Sequence, residues 1–189
     1  MIESSELAGW IGQLADPNPA QRAAAADHLY REGASLFSTA TTEWMSDPEL
    51  RTLVRPGGCV VGIAVQPAAF EAIHAANGSP HLANVPPDQD AKEFELELAA
   101  CHFDILTTRD PGGAGAIARY LHKFGEGIQQ IEMNVTNVDR ATEILRTRFG
   151  AHPVYPATRP GADATRVNFF LVPAQSKKVL IELVEPAKT

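Results

Sequence analysis

The chain has 189 residues, enough for one domain with an appendage and for a sizeable core. Hydrophobic residues make up 44% of it, which excludes a disordered chain. The net charge is −7 with no dense Lys/Arg cluster, which argues against a nucleic-acid or anionic-membrane surface. The N-terminal MIESSELAGW has no basic segment ahead of an apolar core, and no apolar run reaches membrane-spanning length. The expected setting is therefore the cytoplasm, with neither signal peptide nor anchor. Cys59 and Cys101 match no metal or redox spacing and read as buried free thiols, which a reducing compartment suits.

Residues 1–56 read as an all-helical N-terminal segment. A first helix is expected over Ser5 to Leu14. In DPNPAQRAAAADHLYREG, Asn18 can cap, Pro19 takes the first helical position, and Gln21 can close a capping box. That helix is expected to stop at Gly33, and a separate one to cover Ser35 to Met45. A short helix should follow SDPEL, capped by Ser46 or Asp47. The stretch from Leu14 to Gly33 faintly resembles a single HEAT-type unit, but one unit cannot bury a solenoid core, so a helical cap is the expectation. RPGG, from Arg55 to Gly58, breaks any helix and marks the boundary.

From residue 57 to 189 the pattern changes to strands separated by helices, and it occurs twice. CVVGIAV is a strand, PAAFEAIHAANG a helix ending at Gly78, and EFELELAA and CHFDILTT two alternating strands joined by a tight turn. A linking helix, GAIARYLHKFG, closes module one, 57–125. Module two, 126–189, repeats the order: QIEMNV is a strand, NVDRATEILRTRFG a helix ending at Gly150, and RVNFFLVP and KVLIELVE two more strands, with a further short one near HPVYPA. A half of this size cannot cover both faces of its sheet, so the two should pair. In QIEMNV, Gln130, Glu132 and Asn134 share one face and Ile131, Met133 and Val135 the other.

These patterns resemble the vicinal oxygen chelate (glyoxalase-like) superfamily, and in particular the methylmalonyl-CoA epimerases. The residues that carry the resemblance are AIARYLHKFGEGIQQI, the strand and helix after it, and a hairpin ending in VLIELVEP, together from Ala116 to Pro186. The turn is also similar to a GEGVQHIA-type segment of hydroxyphenylpyruvate dioxygenases. The likeness is weaker over the first module and does not reach the N-terminal helices. It implies an α+β fold of two paired βαβββ modules forming a cup-shaped sheet, and, by analogy, a homodimer.

In that family metal ligands point into the cup from each module's first and last strands. Carried over, those positions are Val60, Asp104, Gln130 and Glu182. The alternation agrees, because Phe103 and Ile105 flank Asp104, and Ile181 and Leu183 flank Glu182. A carboxylate between such neighbours needs a cavity, a partner or an ion. The epimerases place histidine where Val60 and Gln130 stand. Asp104, Gln130 and Glu182 would form a hard donor set without imidazole, suited to a weakly bound Mg²⁺, Mn²⁺ or Ca²⁺ rather than zinc. His102 either supplies a nitrogen or sits in water at the hairpin mouth. Glu132 either adds an oxygen or pairs with a nearby cation.

The epimerases' acid/base glutamate, in a loop before the third strand, falls nearest Asp88, where aspartate also commonly stabilises a turn. Glu93, Glu95 and Glu97 read as a solvated strand face. DPGGAGAIARYL opens a helix and could hold an anion, but it lacks a P-loop lysine, and a linker is the default. Two function classes remain. One is a divergent glyoxalase-like protein that binds a small carbonyl or carboxylate compound, with His102, Gln130 and Glu132 touching it and no tightly bound transition metal. The other is a divalent-metal-dependent isomerase or lyase acting next to a carbonyl, with Glu182 and Asp88 as its catalytic acids.

Overall fold

The computed structural model describes residues 4–174 and 177–187. The few positions of the expected segments beyond these, 1–3, 175–176 and 188–189, lie outside the described residues. The fold is α+β: helices come first, then two repeats of strand, helix and two antiparallel strands. The chain divides into two compact units, Met1–Gly33 with Val61–Gln129, and Ala34–Val60 with Gln130–Thr189.

The first unit begins with α1 (Ser4–Gln13) and the start of α2 (Pro19–Thr41). Asn18 opens α2 as expected, its side-chain oxygen accepting the Ala20 N–H at 3.0 Å. The expected stop at Gly33 does not occur. The helix runs through it to Thr41, and the separate helix expected from Ser35 is its continuation. The reason is packing. A Cβ on Gly33 would lie 2.5 and 2.8 Å from the two methyls of Val61, so glycine serves here as the bare surface on which a strand rests.

That strand is β1 (Val60–Ala64), followed by α4 (Pro67–Ala76), β2 (Ala91–Leu98) and β3 (Cys101–Thr108); α3 (Pro48–Leu53) belongs to the other unit. β3 lies between β1, which it pairs in parallel, and β2, which it pairs antiparallel. Val61, Ile63, Phe94, Phe103 and Ile105 are fully buried, as are Phe70 and Ile73 of α4. Helix α5 (Ala116–Phe124) links to β4 (Gly127–Asn134), and the Tyr120 hydroxyl donates to the Ile128 carbonyl at 2.9 Å.

In the second unit α6 (Val138–Arg148) follows β4, then β5 (Arg159–Pro160), β6 (Arg166–Ala174) and β7 (Lys177–Glu185). β4 pairs in parallel with β7, β7 antiparallel with β6, and β6 antiparallel with β5. HPVYPA forms no regular strand. It makes one isolated bridge, Pro153 with Phe170, and the short extra strand falls further on, at Arg159–Pro160. Helix α3 is capped by Asp47, which accepts the Leu50 N–H at 2.9 Å. It is tied to α6 by ion pairs. Arg148 pairs with Asp47 at 2.6 Å and with Glu49, and Arg140 bridges Glu49 and Glu143, each at 2.6 Å.

Candidate functional site

The question posed by Gln130, Glu132 and Asn134 is answered by what lies on each face of the second unit's sheet. Ile131, Met133, Ile181, Leu183 and Phe170 are fully buried, as are Val138, Ala141, Ile144 and Leu145 of α6, which packs on β6 and β7. The other face carries the polar set. The register places Gln130 beside Leu180 and Leu171, Glu132 beside Glu182 and Phe169, and Asn134 beside Val184, Val167 and Arg159. Gln130 and Glu182 are both only 7% exposed. The Gln130 side-chain amide donates diagonally across the parallel pair to the Glu182 carboxylate. A buried carboxylate is thus held by a donor two residues out of register, which supplies part of the partner that its burial demands.

Three residues on or beside this face were not singled out by sequence reading. Phe169 is the cross-strand partner of Glu182. Tyr155 meets it edge-on with ring centroids 5.9 Å apart, and the Arg159 guanidinium lies 4.6 Å from the Tyr155 ring centre. Phe169 was legible from the alternation of RVNFFLVP, with Val167 and Leu171 on the same face. Tyr155 and Arg159 lie in a stretch without periodicity, and only the fold brings them there.

In the first unit Asp104 is 7% exposed, in the middle of β3, between Gly62 of β1 and the exposed Glu95 of β2. His102 is exposed and stands opposite Glu97 near the hairpin end. Asp88 is exposed, inside a short 3-10 helix, Pro87–Gln89. Two residues on, Asp90 adopts a left-handed backbone (φ +50°) and accepts the Thr108 hydroxyl at 3.0 Å. The glycine loop before α5 folds onto acids. A Cβ on Gly115 would meet the Asp90 carboxylate at 2.6 Å, and Asp110 accepts the Gly112 N–H at 3.1 Å. Carboxylates of the chain itself border the start of α5, so the stretch acts as a linker, not as an anion cradle.

Metal chemistry must be weighed against these side chains. Among the described residues no three His, Cys, Asp or Glu groups gather as a metal site. In the second unit the Gln130 amide presents hydrogens, not its oxygen, to Glu182. A cation between the two would meet those hydrogens, and the amide would have to turn over to coordinate it. Burial, with a smaller contribution from the Asp27 charge, pushes the thiol pKa of Cys101 up, away from the thiolate form that would bind a metal.

No protein-family model matches the sequence, and no curated protein does. Solved structures do. Methylmalonyl-CoA epimerase from Mycobacterium tuberculosis is 35% identical over 68% of this chain and 86% of its own, with a TM-score of 0.56. A Streptomyces coelicolor methylmalonyl-CoA epimerase in complex with 2-nitronate-propionyl-CoA is 25% identical over 72% of this chain and 99% of its own, with a TM-score of 0.57. A Bacillus halodurans protein, 23% identical over 68% of this chain and 93% of its own with a TM-score of 0.56, shares the fold. With the repeated strand–helix–hairpin unit and its polar strand face, these place the chain in the vicinal oxygen chelate (glyoxalase-like) superfamily. Within it, the particular likeness is to the methylmalonyl-CoA epimerases.

Proposed function

We propose that this chain is a divergent glyoxalase-like protein that binds a small carbonyl or carboxylate compound without a tightly bound transition metal. The observation that carries the reading is the buried hydrogen bond from Gln130 to Glu182, on the sheet face turned away from α6. A ligand carbonyl can take the second N–H of Gln130, and Glu132 and Glu182 can accept from ligand hydroxyl or enol groups. The epimerase neighbours support the ligand class, since one of them is in complex with 2-nitronate-propionyl-CoA. Val60 and Gln130 at the positions where the resemblance expects histidines speak for weak or absent metal. The reading carries with it the division into a helical segment, 1–56, and a glyoxalase-like domain, 57–189, and a homodimer that light scattering would check. Among the described residues, no helix is long and apolar enough to cross a membrane.

The second reading is a divalent-metal-dependent isomerase or lyase, favoured by the two buried acids Asp104 and Glu182. One experiment separates them. Protein purified without added metal is analysed for bound metal, then melted against CoA thioesters and oxo acids, as wild type and as Glu182→Gln. The first reading expects no stoichiometric zinc or iron, and a ligand that raises the melting temperature of wild type only. Stoichiometric Mg²⁺ or Mn²⁺ that is lost with Glu182→Gln would favour the second.

A further inference from the structure

Asn77 closes α4 and ties it to α1. It is the C-cap residue of α4, and its side-chain amide donates to the Ile73 carbonyl at 2.8 Å. The same amide donates to the Leu14 carbonyl, just past the end of α1, at 3.0 Å. The turn that follows is a Schellman stop, with the Ser79 N–H on the His74 carbonyl at 2.9 Å and the Gly78 N–H on the Ala75 carbonyl at 3.4 Å. Such a stop calls for a left-handed residue after the cap, and Gly78 supplies it at φ +82°. The same requirement creates a reactive pair. Of the six asparagines Asn77 alone precedes a glycine, while the others precede proline, valine or phenylalanine. With no side chain on Gly78, its backbone nitrogen can approach the amide carbon of Asn77 unhindered once the turn opens.

We propose that Asn77–Gly78 is a self-modifying site, gated by the docking of α1, whose product keeps α1 undocked. In the first step the Gly78 nitrogen gives up its proton and bonds to Cγ of Asn77. The Cγ–Nδ2 bond breaks, ammonia leaves, and a cyclic succinimide remains. Water then opens the ring at either carbonyl, giving aspartate or isoaspartate, and no other reagent is consumed. The intact fold opposes the first step in three ways. At ψ 25° the Gly78 nitrogen is turned away from the Asn77 side chain. Its N–H is engaged by Ala75, and the departing amide is held by the Ile73 and Leu14 carbonyls. Reaction therefore waits for the end of α1 and the last turn of α4 to open together, a local event within the first unit. The product cannot restore the contact. A carboxylate has no N–H to offer, and its oxygens would face the two carbonyls that the amide had satisfied. Leu14 is fully buried, so its carbonyl finds no water in place of the lost donor unless α1 moves.

The test ages native protein, and protein unfolded in urea, in the same mildly alkaline buffer and follows Asn77 by peptide mass spectrometry. The native rate is expected to be at least about tenfold lower than the unfolded one, as modest local protection supplies. Ile11→Val, which loosens the buried side of α1, should speed native conversion about two- to tenfold. Ile131→Val, equally buried but in the second unit, should leave the rate unchanged. Asn77→Asp, the product made directly, should raise hydrogen-exchange rates in α1 about tenfold and leave those of the β2–β3 hairpin as in wild type. A native rate equal to the unfolded one would overturn the proposal. So would equal acceleration by Ile11→Val and Ile131→Val, or wild-type exchange of α1 in Asn77→Asp.

Discussion

Gln130 and Glu182, fifty-two positions apart in sequence, share a buried hydrogen bond across a parallel strand pair, with the amide as donor and the carboxylate as acceptor. The register sets Glu132, not Gln130, directly opposite Glu182. The amide therefore reaches diagonally past Leu180 to a carboxylate that already faces a second one. Like charges directly opposite each other on a sheet are destabilising, and a donor from the neighbouring row offsets part of that cost.

The pair separates a functional from a structural role for Glu182. Glu182→Gln keeps the shape and an oxygen that can accept from Gln130. It weakens one charge-assisted bond and also relieves the burial of a charge. The melting temperature is expected to stay within about 2 °C of wild type, since at this size 1 kcal/mol corresponds to about 2–4 °C. Glu182→Ala leaves the Gln130 amide unpaired and should cost about 1–3 kcal/mol beyond the lost packing. Ligand binding should be lost in both. A Glu182→Gln variant that melts many degrees lower would make the carboxylate a structural group.

Gly33 and Gly12 are both helical glycines, and alanine should act in opposite directions at the two. At Gly12, exposed near the end of α1, a Cβ meets nothing within 4 Å. Gly12→Ala should stabilise by up to about 1 kcal/mol through helix propensity and a less free unfolded chain. At Gly33 the same Cβ strikes Val61, and overpacking of about 1–3 kcal/mol exceeds that gain. Thermal melts of both variants check the pair, and Val61→Ala should recover part of the Gly33→Ala loss.

Gly33 also shows where sequence reading runs out. A glycine after an Ala-rich helix is a sound stop signal, because its local preference disfavours helix. The contact with Val61, made by a strand far along the chain, overrides that preference, and nothing near Gly33 in sequence announces it. The strands behave differently. The alternation of QIEMNV and VLIELVE assigned Gln130, Glu132 and Glu182 to one face, because a slip of one residue would bury all of them against α6. Tyr155 and Arg159 escaped notice for the opposite reason. They lie in a stretch with no period, and their position depends on a two-residue strand pairing with β6. Asp88 falls in a loop, where spacing carries little geometry, and two residues on Asp90 accepts the Thr108 hydroxyl.

The ion-pair network between α3 and α6 should make the protein acid-sensitive in a defined window. The backbone N–H of Leu50, and then Arg148, hold the Asp47 pKa below its usual 3.8. Arg140, and then Arg148, hold that of Glu49 below 4.5. Depressed folded-state values mean stability that is present above the unfolded pKa values and lost as pH falls through the folded ones. Wild type should therefore melt higher than Arg148→Gln at pH 7, with the gap closing below about pH 4 and narrowing in high salt. Asp47→Asn keeps a good cap and loses only the ion pair, so it should melt above Asp47→Ala. A gap between wild type and Arg148→Gln that persists unchanged at pH 3 would show that the arginine acts by packing.

Tyr120 sets the alkaline limit. Burial raises its hydroxyl pKa from 10.0 to about 12, and the hydroxyl donates to the Ile128 carbonyl at 2.9 Å, just after α5 gives way to β4. A folded-state value above the unfolded one means that the stabilisation is complete below about pH 10 and is lost as pH rises toward 12. One of the three tyrosines should thus ionise late in a phenolate absorbance titration, and the melting temperature should fall over the same interval. Tyr120→Phe removes the titrating group, so its melting temperature should decline less steeply above pH 10. At pH 7 the same variant should be less stable by about 1 kcal/mol, because the Ile128 carbonyl loses its donor. If Tyr120→Phe shows the same alkaline decline as wild type, another group sets the limit, and the hydroxyl serves packing alone.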